Sequence, residues 1–167
     1  LYPNLNDPNF IIKIAEKKEF NDTEYNGEIY DVESHGDKLC NAQFELANHQ
    51  IFVRNFLSNQ TPYNGLLLYH GLGTGKTCSA IGIAEETRSY MKYNGLEKQI
   101  LVVASPNVQL NFRMQLFDET KLKYENERWV INNCAGQNIL DEINSLQSKI
   151  SKSKVIKLVD NIINNYY

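Results

Sequence analysis

Residues 66–86, LLLYHGLGTGKTCSAIGIAEE, constrain this 167-residue chain more than any other stretch. The apolar run Leu66-Leu67-Leu68-Tyr69 is short and bounded by turn residues, which fits a strand buried on both faces. Three glycines follow, and then Lys76-Thr77 opens a segment in which Ala80, Ile81, Ala84 and Met91 recur at helical spacing. That spacing predicts a helix from about Lys76 to Tyr93, with Asn94-Gly95 as its C-cap. Strand, glycine turn and helix in this order form a cradle for phosphate. Glycines at 71, 73 and 75 allow backbone conformations that a Cβ obstructs, so that N–H groups can converge on phosphate oxygens. The helix start adds its unpaired N–H groups and the positive end of its dipole. In such a loop Lys76 reaches the β- and γ-phosphates and the Thr77 hydroxyl binds Mg²⁺. Lys76 and Thr77 are therefore the candidate catalytic residues. Gly71, Gly73, Thr74, Gly75, Lys76, Thr77 and Cys78 are the candidate nucleotide-binding residues. The common pattern GxxxxGK[ST] calls for glycine at position 70; this chain has His70, which reads as a strand-end residue.

The surrounding pattern alternates strand and helix, which argues for an α/β domain with a mainly parallel sheet flanked by helices. A helix is expected from about Asn48, with Ile51, Phe52 and Phe56 on one face, closed by NQTPYNG at 59–65. ILVVA at 100–104 is a second buried-strand candidate, and Ser105-Pro106-Asn107 opens a helix whose face carries Val108, Phe112 and Leu116. RWVINNC at 128–134 is a possible third strand, and 139–163 reads as helix in two pieces. Residues 1–42 form an irregular lead-in, with turn signals at NDPN, YNGE and SHGD. FIIKIAEKKEF within it fits either a short helix or a strand.

Composition narrows the function classes. With 42% hydrophobic and 22% charged residues the chain reads as globular, with no secretory signal and no apolar run long enough to span a bilayer. Three widely spaced cysteines, Cys40, Cys78 and Cys134, are read as reduced thiols rather than a disulfide framework or a zinc site. A net charge of −3 argues against a protein that holds duplex DNA by bulk charge alone, so any nucleic-acid contact is expected to be local or to come from parts outside this sequence.

Two further segments carry chemistry. Gln50 lies ahead of the glycine loop at the start of a predicted helix, and its amide both donates and accepts, as pairing with N6 and N7 of adenine requires. Phe44 is a candidate to stack on that base. Ser105, Pro106 and Asn107 stand where a strand hands over to a helix N-terminus, a place suited to a nucleic-acid phosphate.

These segments resemble motifs of the superfamily 2 helicases and translocases. GLGTGKT is similar to motif I, Leu46 and Gln50 to the Q motif, and the segment from Ser105 to motif Ia. FELANHQIFVRNFLS, TPYNGLLLYHGLGTGKTCSAIGIAEE and LVVASPNVQLNFRMQLFDE together resemble the group in large nucleocytoplasmic DNA viruses. That group includes poxvirus nucleoside triphosphate phosphohydrolase I and the small subunit of the early transcription factor. The resemblance implies ATP and Mg²⁺ as cofactors and an incomplete RecA-like domain at 43–167, the front part of the first of two. Its partners would be DNA or RNA, the remainder of a helicase chain and viral RNA polymerase, with no membrane. The setting it implies is the virion or host-cell cytoplasm. Ala135-Gly136 stands where relatives often carry Thr-Gly against the nucleic-acid backbone. An Asp-Glu pair after an apolar strand is expected of such an ATPase, and VIKLVDN at 155–161 does not supply it. The chain is thus expected to stop before motif II and to turn ATP over poorly. A P-loop kinase or ATPase of another branch, and a truncated non-catalytic binding module, stay open as alternatives.

Overall fold

The structure is a computed structural model that describes residues 1–25, 27–29, 31–41, 44–146 and 149–167. It divides into two compact units, Leu1–Ser79 and Ala80–Tyr167. The first holds helices α1 (Phe10–Ala15), α2 (Lys18–Asn21), α3 (Val32–Asn41) and α4 (Asn48–Phe56), and the start of α5 (Lys76–Tyr93). The second holds the rest of α5, then α6 (Pro106–Leu116), strands β1 (Lys123–Glu125) and β2 (Arg128–Val130), and helices α7 (Gly136–Leu146) and α8 (Lys152–Tyr166).

The lead-in is more ordered than its composition suggests. FIIKIAEKKEF resolves into α1 and α2, and SHGD lies inside α3 rather than in a turn. The turn expected at YNGE includes Asn26, which lies outside the described residues. Ile14 and Phe20 of the lead-in join Phe56 and Tyr63 in one buried cluster, flanked by Phe10 and Phe52. Tyr63 stacks on Phe56 at 4.5 Å and meets Phe10 edge-on at 5.5 Å. Its hydroxyl donates to the Pro3 carbonyl at 2.7 Å, so a buried Tyr finds the partner it needs. Asn55 of α4 donates to the Glu19 carbonyl at 2.8 Å. Residues 1–25 thereby help to hold α4, the helix that carries Gln50.

The core of the second unit is built by α7 and α8. Ile139, Leu140 and Ile143 of α7 and Val155, Val159 and Ile163 of α8 are buried at helical spacing, and Leu116, Ile131 and Ala135 close the cluster. A Cβ on Gly136 would stand 2.9 Å from Ile131 Cγ2, so only glycine fits at this helix start. The Ala135-Gly136 turn is thus a packing element; Ala135 is 4% exposed. Asn126 and Glu127, both with positive φ (48° and 62°), join β1 to β2. That is the left-handed pair a two-residue hairpin turn demands. Asn144 of α7 brackets the Trp129 backbone, accepting from its N–H at 3.1 Å and donating to its carbonyl at 2.9 Å.

One buried ionic network lies beside this core. Arg88 of α5 is fully buried and binds Glu85 through Nε (2.9 Å) and Nη2 (2.8 Å), and Glu142 of α7 at 2.7 Å. Lys92 also reaches Glu142, at 2.6 Å, and the Tyr167 hydroxyl donates to Glu85 at 2.7 Å. Burial opposes the charge on Arg88, but the bonds to Glu85 and Glu142 outweigh it and raise its pKa. Burial and the neighbouring Glu85 carboxylate hold the Tyr167 hydroxyl protonated.

The helices stand close to where the sequence places them. The C-cap of α5 is a Schellman motif, with Leu96 N–H on the Met91 carbonyl (2.8 Å), Gly95 N–H on Lys92 (3.2 Å) and Gly95 at φ +61°. Ala80, expected on the buried face of α5, is exposed, whereas Ser79, Glu85 and Arg88 are buried. The two apolar runs differ most from expectation. Among the described residues the sheet is the antiparallel hairpin alone, and 66–69 and 100–104 carry no strand pairing. Leu67, Tyr69, Leu101 and Val103 are 85% exposed or more. A strand buried on both faces needs paired neighbours and covering helices, and an apolar run cannot supply those itself. The architecture is thus mixed helix with a small antiparallel sheet, compatible with a partial domain. Cys78 and Cys134 are each disulfide-bonded, which corrects their reading as free thiols; the Cys40 side chain lies outside the described residues. Among the described residues no helix is long and apolar enough to cross a membrane.

Candidate functional site

The glycine loop takes its shape from two residues in the left-handed region. Gly73 has φ +80° and Gly75 has φ +76°, whereas Gly71 needs no such freedom. Thr74 closes the bend, its hydroxyl donating to the Gly71 carbonyl at 3.0 Å. Gly75 ends the loop and starts α5: its carbonyl accepts from the Ser79 N–H at 3.0 Å. The Lys76 ammonium folds back over the loop and donates to the carbonyls of His70 (3.0 Å) and Gly71 (2.7 Å). Lys76 and Thr77 thus form the first turn of α5, half-buried, where the free N–H groups and positive dipole end of an 18-residue helix lie.

The first turn of α4 is laid against this loop. Gln50 is 6% exposed. Its Oε1 accepts from the Ala47 N–H at 2.9 Å, and its Nε2 donates to the Gly75 carbonyl at 3.1 Å. This is half of a capping box, since the alanine side chain has no acceptor to return the bond. The neighbouring His49 contacts the Thr74 carbonyl through Nε2 at 3.0 Å and the Tyr25 hydroxyl through Nδ1 at 3.0 Å, and meets His70 edge-on at 5.7 Å. Asn48 donates to the Glu24 carbonyl at 3.2 Å. The structure therefore brings Gln50, Gly71, Gly73, Thr74, Gly75, Lys76 and Thr77 together. Gln50 acts here on the loop backbone. Phe44 stands in the segment before α4 and is 37% exposed, and Cys78 lies in the first turn of α5.

The expected nucleic-acid residues form a separate element of the second unit. Ser105 precedes α6 with extended backbone and no side-chain capping bond, and Pro106 takes the first helical position. Ser105, Pro106 and Asn107 are all exposed. Sequence reasoning missed His49 and Tyr25. A histidine beside the glutamine was visible, but nothing in its spacing shows that 25 residues later a carbonyl would meet it.

The arrangement is a glycine loop closed over by its own lysine and opening a long helix, in a chain whose relatives carry helicase names. Its homologues are proteins named as helicases of nucleocytoplasmic large DNA viruses. A protein of Acanthamoeba polyphaga mimivirus named as an ATP-dependent RNA helicase is 30% identical over 161 residues, 95% of this chain and 12% of its own length. A second mimivirus protein of the same description is 34% identical over 117 residues, 69% of this chain and 18% of its own. From African swine fever virus, an early transcription factor large subunit homologue is 31% identical over 121 residues, 55% of this chain and 11% of its own. The chain therefore spans less than one-fifth of the length of these relatives. That last relative is a large-subunit homologue, so the resemblance to the poxvirus small subunit and phosphohydrolase is not confirmed. No family model and no solved structure matches the chain.

Proposed function

We propose that residues 43–167 are the nucleotide-binding front of an ATP-dependent nucleic-acid helicase or translocase. The loop would be a P-loop of superfamily 2 type, and the domain RecA-like once the runs at 66–69 and 100–104 are paired within a longer polypeptide. The observation that carries this reading is the loop itself. Gly73 and Gly75 adopt conformations that turn successive peptides, and they deliver the chain into the N-terminus of α5 with Lys76 folded over the bend. The residues fit a triphosphate. Backbone amides from Gly73 to Thr77 would hold its oxygens, Lys76 would exchange its contacts with His70 and Gly71 for phosphate, and Thr77 would offer its hydroxyl to Mg²⁺. The bound nucleotide supplies the phosphoanhydride whose cleavage drives movement; this chain's residues bind and orient it.

The names of the relatives add a second layer. Nucleic acid is the substrate class they suggest, and the exposed start of α6 at Ser105, Pro106 and Asn107 would be its contact. Gln50 would favour adenine only by exchanging its bonds to Ala47 and Gly75 for the base, and an acidic pair, a second RecA-like domain and its arginine would come from outside residues 1–167. The test is equilibrium titration of the chain with Mg²⁺·ATP and Mg²⁺·GTP. Saturable binding weakened at least tenfold in Lys76→Ala, with ATP preferred, is expected. Equal binding by wild type and Lys76→Ala would refute the proposal.

A further inference from the structure

We propose that His49 is a positioning residue that aims the phosphate-binding amides of the glycine loop, with Tyr25 setting its tautomer. The inference rests on the reading of residues 71–77 as a phosphate cradle. A trans peptide is planar, so its C=O and N–H point in opposite directions. Whatever holds the carbonyl of one residue therefore aims the N–H of the next. In the 75–76 peptide the Gly75 carbonyl is already held by the first helical bond from Ser79, with Gln50 added. The 74–75 peptide lies outside the helix and next to a residue with φ +76°, so α5 does not fix it. His49 Nε2 stands 3.0 Å from the Thr74 carbonyl, which turns that oxygen toward α4 and the Gly75 N–H the opposite way.

A carbonyl oxygen only accepts, so Nε2 must carry the proton. In a neutral ring Nδ1 is then an acceptor, and the Tyr25 hydroxyl at 3.0 Å donates to it. The relay runs in one direction: Tyr25 O–H to Nδ1, Nε2–H to Thr74 O. Without Tyr25 the ring is free to move its proton to Nδ1, and the donor to Thr74 is lost in the fraction of molecules that do so. Asn48 on the Glu24 carbonyl keeps the segment bearing Tyr25 against α4. Tyr25 of the lead-in is thereby linked to the loop through His49.

The experiment is Mg²⁺·ATP titration of the 167-residue chain and of Lys76→Ala, His49→Ala, His49→Gln, His49→Asn and Tyr25→Phe. Thermal unfolding of each variant and long-range ¹H–¹⁵N spectra of the imidazole accompany it. A glutamine places an N–H near the position of Nε2, and an asparagine near that of Nδ1. His49→Ala and His49→Asn should weaken ATP binding about 3- to 10-fold, the effect of one hydrogen bond, and His49→Gln should stay within about twofold of wild type. The spectra should show the Nε2–H tautomer in wild type and a mixture in Tyr25→Phe. Equal affinity of the Gln and Asn variants, or an Nδ1–H tautomer in wild type, overturns the proposal. If His49→Ala fails to fold, the Gln–Asn comparison and the tautomer decide. Failure of the cradle itself shows separately, as ATP binding that Lys76→Ala leaves unchanged.

Discussion

Adding one methyl group at Gly75 should cost far more than adding it at Gly73, and the difference measures how tightly α4 grips the loop. Both glycines are left-handed, at +76° and +80°. An alanine in that region costs about 1–2 kcal/mol, partly offset by the smaller freedom of the unfolded chain. At Gly73 nothing lies within 4 Å of the new Cβ, so Gly73→Ala carries that cost alone. At Gly75 the Cβ would fall 2.4 Å from Gln50 Nε2. The Gln50 amide is bonded at both ends and is 6% exposed, so it cannot swing aside without breaking both bonds inside the protein. Two lost hydrogen bonds, with a buried amide left unsatisfied, add about 2–4 kcal/mol. The assay is native-state hydrogen exchange at the amides of α4, which reads opening of this region without requiring the whole chain to unfold in one step. Gly75→Ala should lower the opening free energy of α4 by about 2–4 kcal/mol more than Gly73→Ala. In a Gln50→Ala background the excess of Gly75→Ala over Gly73→Ala should vanish, because the clashing amide and its two bonds are already gone. Equal effects of the two glycine substitutions, or an excess that survives removal of Gln50, would refute the reasoning.

Arg88→Met should destabilise the second unit by about 3–5 kcal/mol, since it leaves the buried Glu85 carboxylate without its cation and the half-buried Glu142 with Lys92 alone. Denaturant unfolding followed through Trp129, the sole tryptophan, measures this, and a loss under 1 kcal/mol would contradict it. The same network predicts an acid limb. Burial pushes the Glu142 carboxyl up, but Arg88 and Lys92 outweigh it and hold the pKa below its ordinary 4.5. A depressed folded pKa contributes stability that is full above the unfolded value and lost as pH falls through the folded one. Stability of this unit should therefore fall below about pH 4.5, and Glu142→Gln should flatten that limb while lowering stability at neutral pH.

The helices were legible in the sequence because each carries its own period and end signals. Lys76–Tyr93 closes on Asn94-Gly95, and Ser105-Pro106 opens α6. The loop was legible because Gly73, Gly75 and Lys76 are residue types that one local geometry demands. The strands were not, since Leu66–Tyr69 and Leu101–Val103 show only that the runs are apolar; pairing depends on neighbours that no local pattern reveals. α3 escaped for the converse reason: SHGD carries turn-like residues that the helix overrides, while the three-residue β1 is too short to show a period of its own. Glu85 and Arg88 look like a solvated pair at i, i+3, and only the arrival of Glu142, 54 residues beyond Arg88, makes them a buried cluster. Gln50 was singled out for its two-sided amide, and that chemistry is present, but it is spent on Ala47 and Gly75.

The central claim is that the amides from Gly73 to Thr77 and the Lys76 ammonium hold a triphosphate. Its most direct test is a crystal structure of the chain with Mg²⁺ and a non-hydrolysable ATP analogue. The account predicts β- and γ-phosphate oxygens within hydrogen-bonding distance of those amides, with Lys76 Nζ moved from the His70 and Gly71 carbonyls onto phosphate. An analogue bound elsewhere, with Lys76 still on those two carbonyls, would contradict it.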